Sequence, residues 1–345
     1  EMTSSLVGSE MCIRDRVESR MFTGLPGDIS DLQRYVYMAM MAVDDSYTSK
    51  TKEAGQRVRT HLQDGGLTNV SYHYQGSVMT DTHIKGYSDI DLLVICEKYY
   101  SYDSASVKQI LASYNTRYSY SQLSKLRSID NASPYTGNVY DDLRTIRVQS
   151  ESILSRKYLK CDISHPKAIK ITNQDLHRDV DIVTAGWYDN VNSIINDQNI
   201  TYRGIQVYDK VANNRCAADY PFLSIERINT KSVNTGGRLK RMIRFLKNIK
   251  ADSKQKIDLS SFDINAICYN IDIDAYKDLH YLYLVTIVFL QLHKIAYDES
   301  YANSITSVDG KEYIFRGNNK RREVATMLQN VSTIYSILKE QHLII

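Results

Sequence analysis

The chain has 345 residues, well beyond a minimal domain and enough for one large domain or two medium lobes. Apolar residues make up 43% and charged residues 24%, the ordinary mixture of a globular protein that can build a core. The formal net charge is only +3, which excludes a general nucleic-acid coat, because such a surface must neutralise many phosphates. Any basic function has to be local.

The segment up to Arg20 lacks the charged-then-apolar layout of a secretion signal and has no periodicity. Residues 1–27 are therefore expected to be a disordered or non-native leader. Ser30 and Gln33 then form an S-x-x-Q capping box, and Leu32, Val36, Met40, Val43 and Tyr47 recur at helical spacing. With Val58 and Leu62 continuing the stripe and Gly65-Gly66 ending it, the pattern predicts one long helix, bent near Ser46 to Lys52. An extended segment follows at Val70 to Gln75, then a Gly-Ser turn and a strand from Asp89 to Cys96. Ser and Tyr dominate residues 101–136, with helix expected around Val107 to Tyr114. Val139 to Leu159 reads as helix. Ala168 to Thr172 and Val180 to Val183 read as strands joined by a hairpin through Asn173 to Arg178. After about Pro221 the pattern turns helical: a stripe of Leu239, Met242, Leu246 and Ile249, a helix capped at Ser260-Ser261, the run from Leu279 to Leu292, and a last helix carrying Val324, Met327, Val331, Ile334 and Leu338. The Leu279 run is interrupted by His280, Thr286 and Gln291 and falls short of the roughly 20 apolar residues that span a bilayer, so it reads as a buried core helix. Two lobes follow, with the boundary near residue 225: 28–225 is α/β in character and 226–345 is helical.

The chemistry-bearing segment is Gly76-Ser77, then Ser88-Asp89-Ile90-Asp91-Leu92. Side chains alternate along a strand, so Asp89 and Asp91 project together while Ile90 and Leu92 face the core. Two adjacent carboxylates repel each other and call for a counter-charge, and hard divalent cations with oxygen ligands supply one. Alone, Asp-Ile-Asp reads as a polar strand edge with two solvated acids. The Gly-Ser turn ahead of it changes the weighting, since its exposed N–H groups and hydroxyl suit a phosphate. So does Asp181, set among Val180, Ile182 and Val183, where an unpaired carboxylate is costly. Asp179 shares its parity but opens the strand and is the weaker candidate.

Taken in order, Gly76-Ser77, Ser88-Asp89-Ile90-Asp91 and Val180-Asp181-Ile182-Val183 resemble the polymerase-β-like nucleotidyltransferase superfamily, and within it the bacterial cGAS/DncV-like enzymes, the CD-NTases of the SMODS family. The resemblance extends over roughly residues 30 to 340 and includes Arg227 to Lys231, Arg238 to Lys250 and Leu259-Ser-Ser-Phe262. Thr184 departs from it, as many relatives carry Pro there. The resemblance implies an α+β fold: a nucleotidyltransferase lobe of mixed sheet and helices, plus a C-terminal helical lobe like that of oligoadenylate synthase, joined by a long N-terminal spine helix. It implies that Asp89, Asp91 and Asp181 hold two Mg²⁺ or Mn²⁺ ions, that Asp181 activates the attacking hydroxyl, and that Gly76, Ser77 and Ser88 bind the nucleotide. Ten Lys and Arg residues lie between Arg227 and Lys256. Lys240, Arg244 and Lys247 share one helix face, and the resemblance points to Ser261 and to Lys240 or Arg244 as phosphate contacts; a solvated basic face is the plainer alternative.

The expected activity is condensation of nucleoside triphosphates into a cyclic di- or oligonucleotide messenger, read by an effector protein in anti-phage signalling. A nucleotidyltransferase acting on tRNA or a small molecule is the alternative. Cys12, Cys96, Cys161, Cys216 and Cys268 are scattered and the histidines make no HExxH pair, so no zinc site is expected. Free thiols and the need for nucleoside triphosphates suit the cytoplasm. No membrane partner and no strong double-stranded nucleic-acid binding are expected.

Overall fold

The computed structural model describes residues 29–87, 89–113, 117–317 and 319–344. The expected leader, residues 1–27, and the candidate nucleotide ligand Ser88 lie outside the described residues. In chain order come α1 (Ile29–Met40), α2 (Asp45–Asp64), β1 (Val70–Gln75), β2 (Ile90–Tyr102), α3 (Ser104–Ala112), α4 (Tyr120–Asp130) and α5 (Val139–Lys157). Then follow β3 (Cys161–Asp162), β4 (Ile169–Asn173), β5 (Arg178–Asp189), α6 (Val191–Ile195), β6 (Gly204–Asp209) and β7 (Asn214–Asp219). The remainder is helical: α7 (Pro221–Asn234), α8 (Arg238–Asp252), α9 (Ser261–Tyr269), α10 (Tyr283–Tyr297), α11 (Glu299–Ala302) and α12 (Lys320–Glu340). The fold is α+β.

The chain forms two compact units. One comprises Val43–Asp81 and Ser88–Arg227; the other takes the chain up to Ala42, the short stretch Thr82–Tyr87, and everything from Ile228 onward. The stretch read from sequence as one long helix is thus two helices, parted at Met41 to Asp44 rather than bent near Ser46 to Lys52. Asp44 caps the second, its carboxylate accepting the Tyr47 N–H at 2.7 Å. The physical reason for the break is that the halves bury their stripes in different cores. Leu32, Val36 and Met40 of α1 pack in the helical unit, whereas Ala54, Val58 and Leu62 of α2 pack against the sheet.

In the first unit a seven-stranded sheet has the order β1-β2-β5-β4-β3, with β6 also pairing with β5 and β7 with β6. β2 and β5 are parallel; β1 is antiparallel to β2, and β4 to β5. Leu92, Leu93, Val94, Ile95 and Cys96 are all fully buried, as expected of a central strand covered on both faces. Ile90, Leu92, Val94 and Cys96 meet α2 and α5, while Leu93 and Ile95 meet Val183, Ala185, Trp187 and Ile205 on the other face. The hairpin read through Asn173 to Arg178 is present, with Asn173 paired to Arg178 and Lys170 to Asp181.

The helical unit packs α1, α8, α9, α10 and α12 around Leu239, Met242, Phe245, Leu246, Val285, Val288, Val331 and Ile334. Of the run from Leu279 to Leu292, Tyr283 onward is helix α10, with Leu284, Val285, Val288 and Leu292 buried in this core, while 279–282 precede the helix; no helix of the described residues is long and apolar enough to cross a membrane. Among the described residues Cys96, Cys161, Cys216 and Cys268 are free thiols.

Candidate active site

The parallel register of β2 and β5 sets Asp91 directly beside Asp181, at the N-terminal ends of the two strands. In-register residues on neighbouring strands project from the same face, so both carboxylates leave the sheet together. Asp89 stands immediately before β2, two residues upstream of Asp91. Burial, and after it the negative charges of Asp181 and Asp179, push the Asp89 carboxyl above its ordinary range, with Lys170 opposing. An open cavity of about 460 Å³ is lined by Asp89, Asp179 and Asp181 together with Lys160, Lys170 and Thr172. Asp179 is tied within the hairpin, accepting the Thr172 hydroxyl at 2.6 Å.

Lys170 was not singled out by the sequence reading. Its Nζ lies 3.0 Å from Asp181 Oδ2, and the hydrogen bond to Asp181, with the charges of Asp181, Asp89 and Asp91, raises its pKa. The signal was present in the hairpin itself, since a turn through Asn173 to Arg178 places residue 170 across from residue 181.

Gly76 ends β1 with φ of +83°, a conformation that glycine adopts without steric penalty. A Cβ there would also collide with Oδ2 of Asp91. The turn is therefore glycine for two reasons, its backbone angle and the room it leaves for a carboxylate. It is held by the Met79 N–H on the Gly76 carbonyl at 3.2 Å, by the Thr80 hydroxyl on the Ser77 carbonyl at 3.2 Å, and by Val78, buried in the sheet core. Ser77 is half-buried beside it.

The all-oxygen donor set of Asp89, Asp91 and Asp181 suits a hard divalent cation, and the Lys170 ammonium already shows that a positive charge is welcome there. Among the described residues, however, no three His, Cys, Asp or Glu side chains are gathered closely enough to hold a metal ion.

In the helical unit the basic face differs from a solvated one. Lys240 is half-buried, but Arg244 and Lys247 are each only 5% exposed. Arg244 Nε donates to the Met40 carbonyl at 2.9 Å, and Asn248 donates to the Ala39 carbonyl at 3.0 Å, so this face of α8 fastens the end of α1. Lys247 Nζ lies 3.4 Å from the Thr82 hydroxyl. The plainer alternative of a solvated basic face does not describe Arg244: its guanidinium is part of the unit's interior. Ser260 caps α9 in a reciprocal box with Asp263, leaving Ser261 exposed in the first turn. Lys231, in the segment noted for its resemblance, donates to the Tyr269 and Ile271 carbonyls at 2.6 and 2.7 Å and holds the end of α9.

Residues 226–336 match the model of the cGAS/DncV-like nucleotidyltransferase C-terminal helical domain. Over 312 residues the chain is 50% identical to a c-di-GMP synthase of Capnocytophaga granulosa, covering 90% of this chain and 88% of that one. It is 47% identical over 304 residues to a c-di-GMP synthase of a Lachnospiraceae bacterium, covering 87% and 86%. Among solved structures, a STING-associated CdnE c-di-GMP synthase from Flavobacteriaceae sp. superposes with a TM-score of 0.84 at 36% identity, over 96% of this chain and 98% of that one. The chain belongs to the cGAS/DncV-like nucleotidyltransferases.

Proposed function

We propose that the protein condenses two molecules of GTP into a cyclic dinucleotide, with release of pyrophosphate at each of two successive transfers. The observation that carries this reading is the placement of Asp91 beside Asp181 with the Gly76 turn packed against Asp91. The relatives of 50% and 47% identity, both c-di-GMP synthases, support the choice of guanine. In each transfer a ribose hydroxyl oxygen of one nucleotide bonds to the α-phosphorus of another, the bond to pyrophosphate breaks, and the hydroxyl proton leaves. Asp89, Asp91 and Asp181 are the residues that would hold two Mg²⁺ or Mn²⁺ ions, which supply a lowered hydroxyl pKa and charge for the leaving group. Asp181 orients the attacking hydroxyl, and Gly76 and Ser77 grip the donor phosphates. In the helical unit, Lys240 and Ser261 are the better-exposed phosphate contacts. Holding two nucleotides side by side replaces a template, because proximity removes much of the entropic barrier.

The Flavobacteriaceae relative is STING-associated, and by the same reading the product here is a messenger for an effector protein in bacterial defence, made where nucleoside triphosphates are plentiful. The test is incubation of the purified chain with each labelled ribonucleoside triphosphate, singly and together, with Mg²⁺ or Mn²⁺. The expected result is a phosphatase-resistant product from GTP alone with the mass of a cyclic dinucleotide, since a ring has no terminal phosphate. Transfer that occurs only onto added tRNA or an aminoglycoside would overturn it.

A further inference from the structure

Lys170 has no place in the reading above, yet its ammonium lies against one of the acids. It projects from β4 toward the neighbouring β5, in register with Asp181, and joins Asp89, Asp179 and Asp181 in lining the same open cavity. Its Nζ is 3.0 Å from Asp181 Oδ2. Asp181 is largely shielded, with its side chain 17% exposed, whereas the Lys170 side chain is 44% exposed and has an open path back to solvent. Thus the acid is the more shielded of the pair and the base has room to swing toward solvent. Without a cation these carboxylates would repel one another across a partly desolvated site, where charge interactions are several times stronger than in water.

We propose that Lys170 is a resident counter-ion of the acid cluster, a positioning residue that neutralises Asp181 while the site is unloaded and must be displaced for a divalent ion to enter. This rests on the reading of Asp89, Asp91 and Asp181 as metal ligands and adds a consequence for it. The ammonium and the incoming ion compete for the same carboxylate, so Lys170 sets the divalent concentration at which the site loads. It also keeps the cluster folded when the ion is absent. A lysine suits this role better than an arginine at the same position, because a single ammonium on a flexible stem makes a point contact and releases without breaking a bidentate pair.

The test measures Mn²⁺ binding to the nucleotide-free full chain by calorimetry, and by the loss of the free-ion paramagnetic resonance signal. Lys170→Gln is expected to bind Mn²⁺ more tightly than the parent by roughly three- to tenfold. It should also melt lower than the parent without metal, with the deficit closing as Mn²⁺ saturates the site. Lys170→Arg, which keeps the charge, should bind no more tightly than the parent. Equal or weaker Mn²⁺ binding by Lys170→Gln, in a parent that does bind Mn²⁺, overturns the inference alone. If neither protein binds Mn²⁺, the metal reading falls and this inference with it.

Discussion

Gly76 and Asp91 are a matched pair. At φ of +83° any side chain at position 76 is strained, by about 1–2 kcal/mol for an L-residue, and its Cβ would also meet the Asp91 carboxylate. Gly76→Ala should therefore displace Asp91 and lower nucleotide transfer by at least about a hundredfold, equivalent to roughly 2.7 kcal/mol of barrier. Because the turn lies at a strand end, the melting temperature should drop by only a few degrees, on the order of 1–2 kcal/mol. Turnover near that of the parent would show that the carboxylate does not need this space. Asp89 supports a second prediction. Its carboxyl is raised by burial and by Asp181 and Asp179, so the folded chain holds the proton more firmly than the unfolded chain does. That contribution is complete below the ordinary value of 3.8 and is lost as pH rises through the raised value. At pH above this window the ionised Asp89 opposes folding when no metal is bound. Asp89→Asn should melt higher than the parent there, by on the order of a few degrees, and the gain should vanish as pH falls to the ordinary carboxyl range. A gain that persists in acid, or no gain at any pH, would count against the charge explanation.

Among the elements, the strands that carry the acids were the most legible from sequence. Leu92 to Cys96 is a continuous apolar run and Val180 to Val183 brackets its acid, because a strand buried on both faces has to be apolar apart from its chemistry. The hairpin from β4 to β5 was also legible, though its meaning for Lys170 was not drawn out, since a lysine on a short strand looks like any solvated one. β6, β7, α4 and α7 were not read. β7 alternates only between exposed and half-buried positions, and α4 buries only Leu126 and Ile129, so neither leaves a clear apolar period in the sequence. Arg147 also escaped notice. Fully buried on α5, it pairs with Glu151 and donates to the His165 and Ala168 carbonyls at 2.8 Å, fixing the loop that enters β4. Helix α8 was placed correctly, but its basic face was misjudged, because a sequence does not say which of several cations bury their heads. The two candidates there should now separate. Lys240→Gln, at a half-buried position, should weaken triphosphate binding and lower the melting temperature less than Arg244→Gln does. Arg244→Gln should lower stability by about 1–3 kcal/mol, the usual cost of leaving a buried acceptor such as the Met40 carbonyl unsatisfied. Equal melting temperatures for the two variants would return Arg244 to the phosphate-binding role alone.

For the whole molecule, the two-lobe reading from sequence drew one boundary, near residue 225, whereas the compact units interleave along the chain. A single stripe continuing from Leu32 to Leu62 gave no hint that its two halves serve separate cores. This has a measurable result. A fragment starting at residue 226, where the family model begins, lacks Leu32, Val36, Ala39 and Met40, which are buried in the helical unit's core. Burying such side chains contributes about 1.5–3 kcal/mol each for the larger ones, comparable in sum to the stability of a small domain. The fragment should show helical far-ultraviolet dichroism with a broad melt and dye-accessible apolar surface. Linking residues 29–42 to it should restore a sharp transition; a sharp transition without them would mean that α1 is dispensable. The same interleaving bears on how the protein is made. During synthesis α1 leaves the ribosome before α8, whose Arg244 its Met40 carbonyl awaits and which follows about 200 residues later, roughly 10 to 40 s at ordinary elongation rates. Throughout that interval the amphipathic helix lacks the α8 face that buries its apolar stripe, so the nascent chain is a natural client for a holding chaperone, and its yield in cells should depend on one.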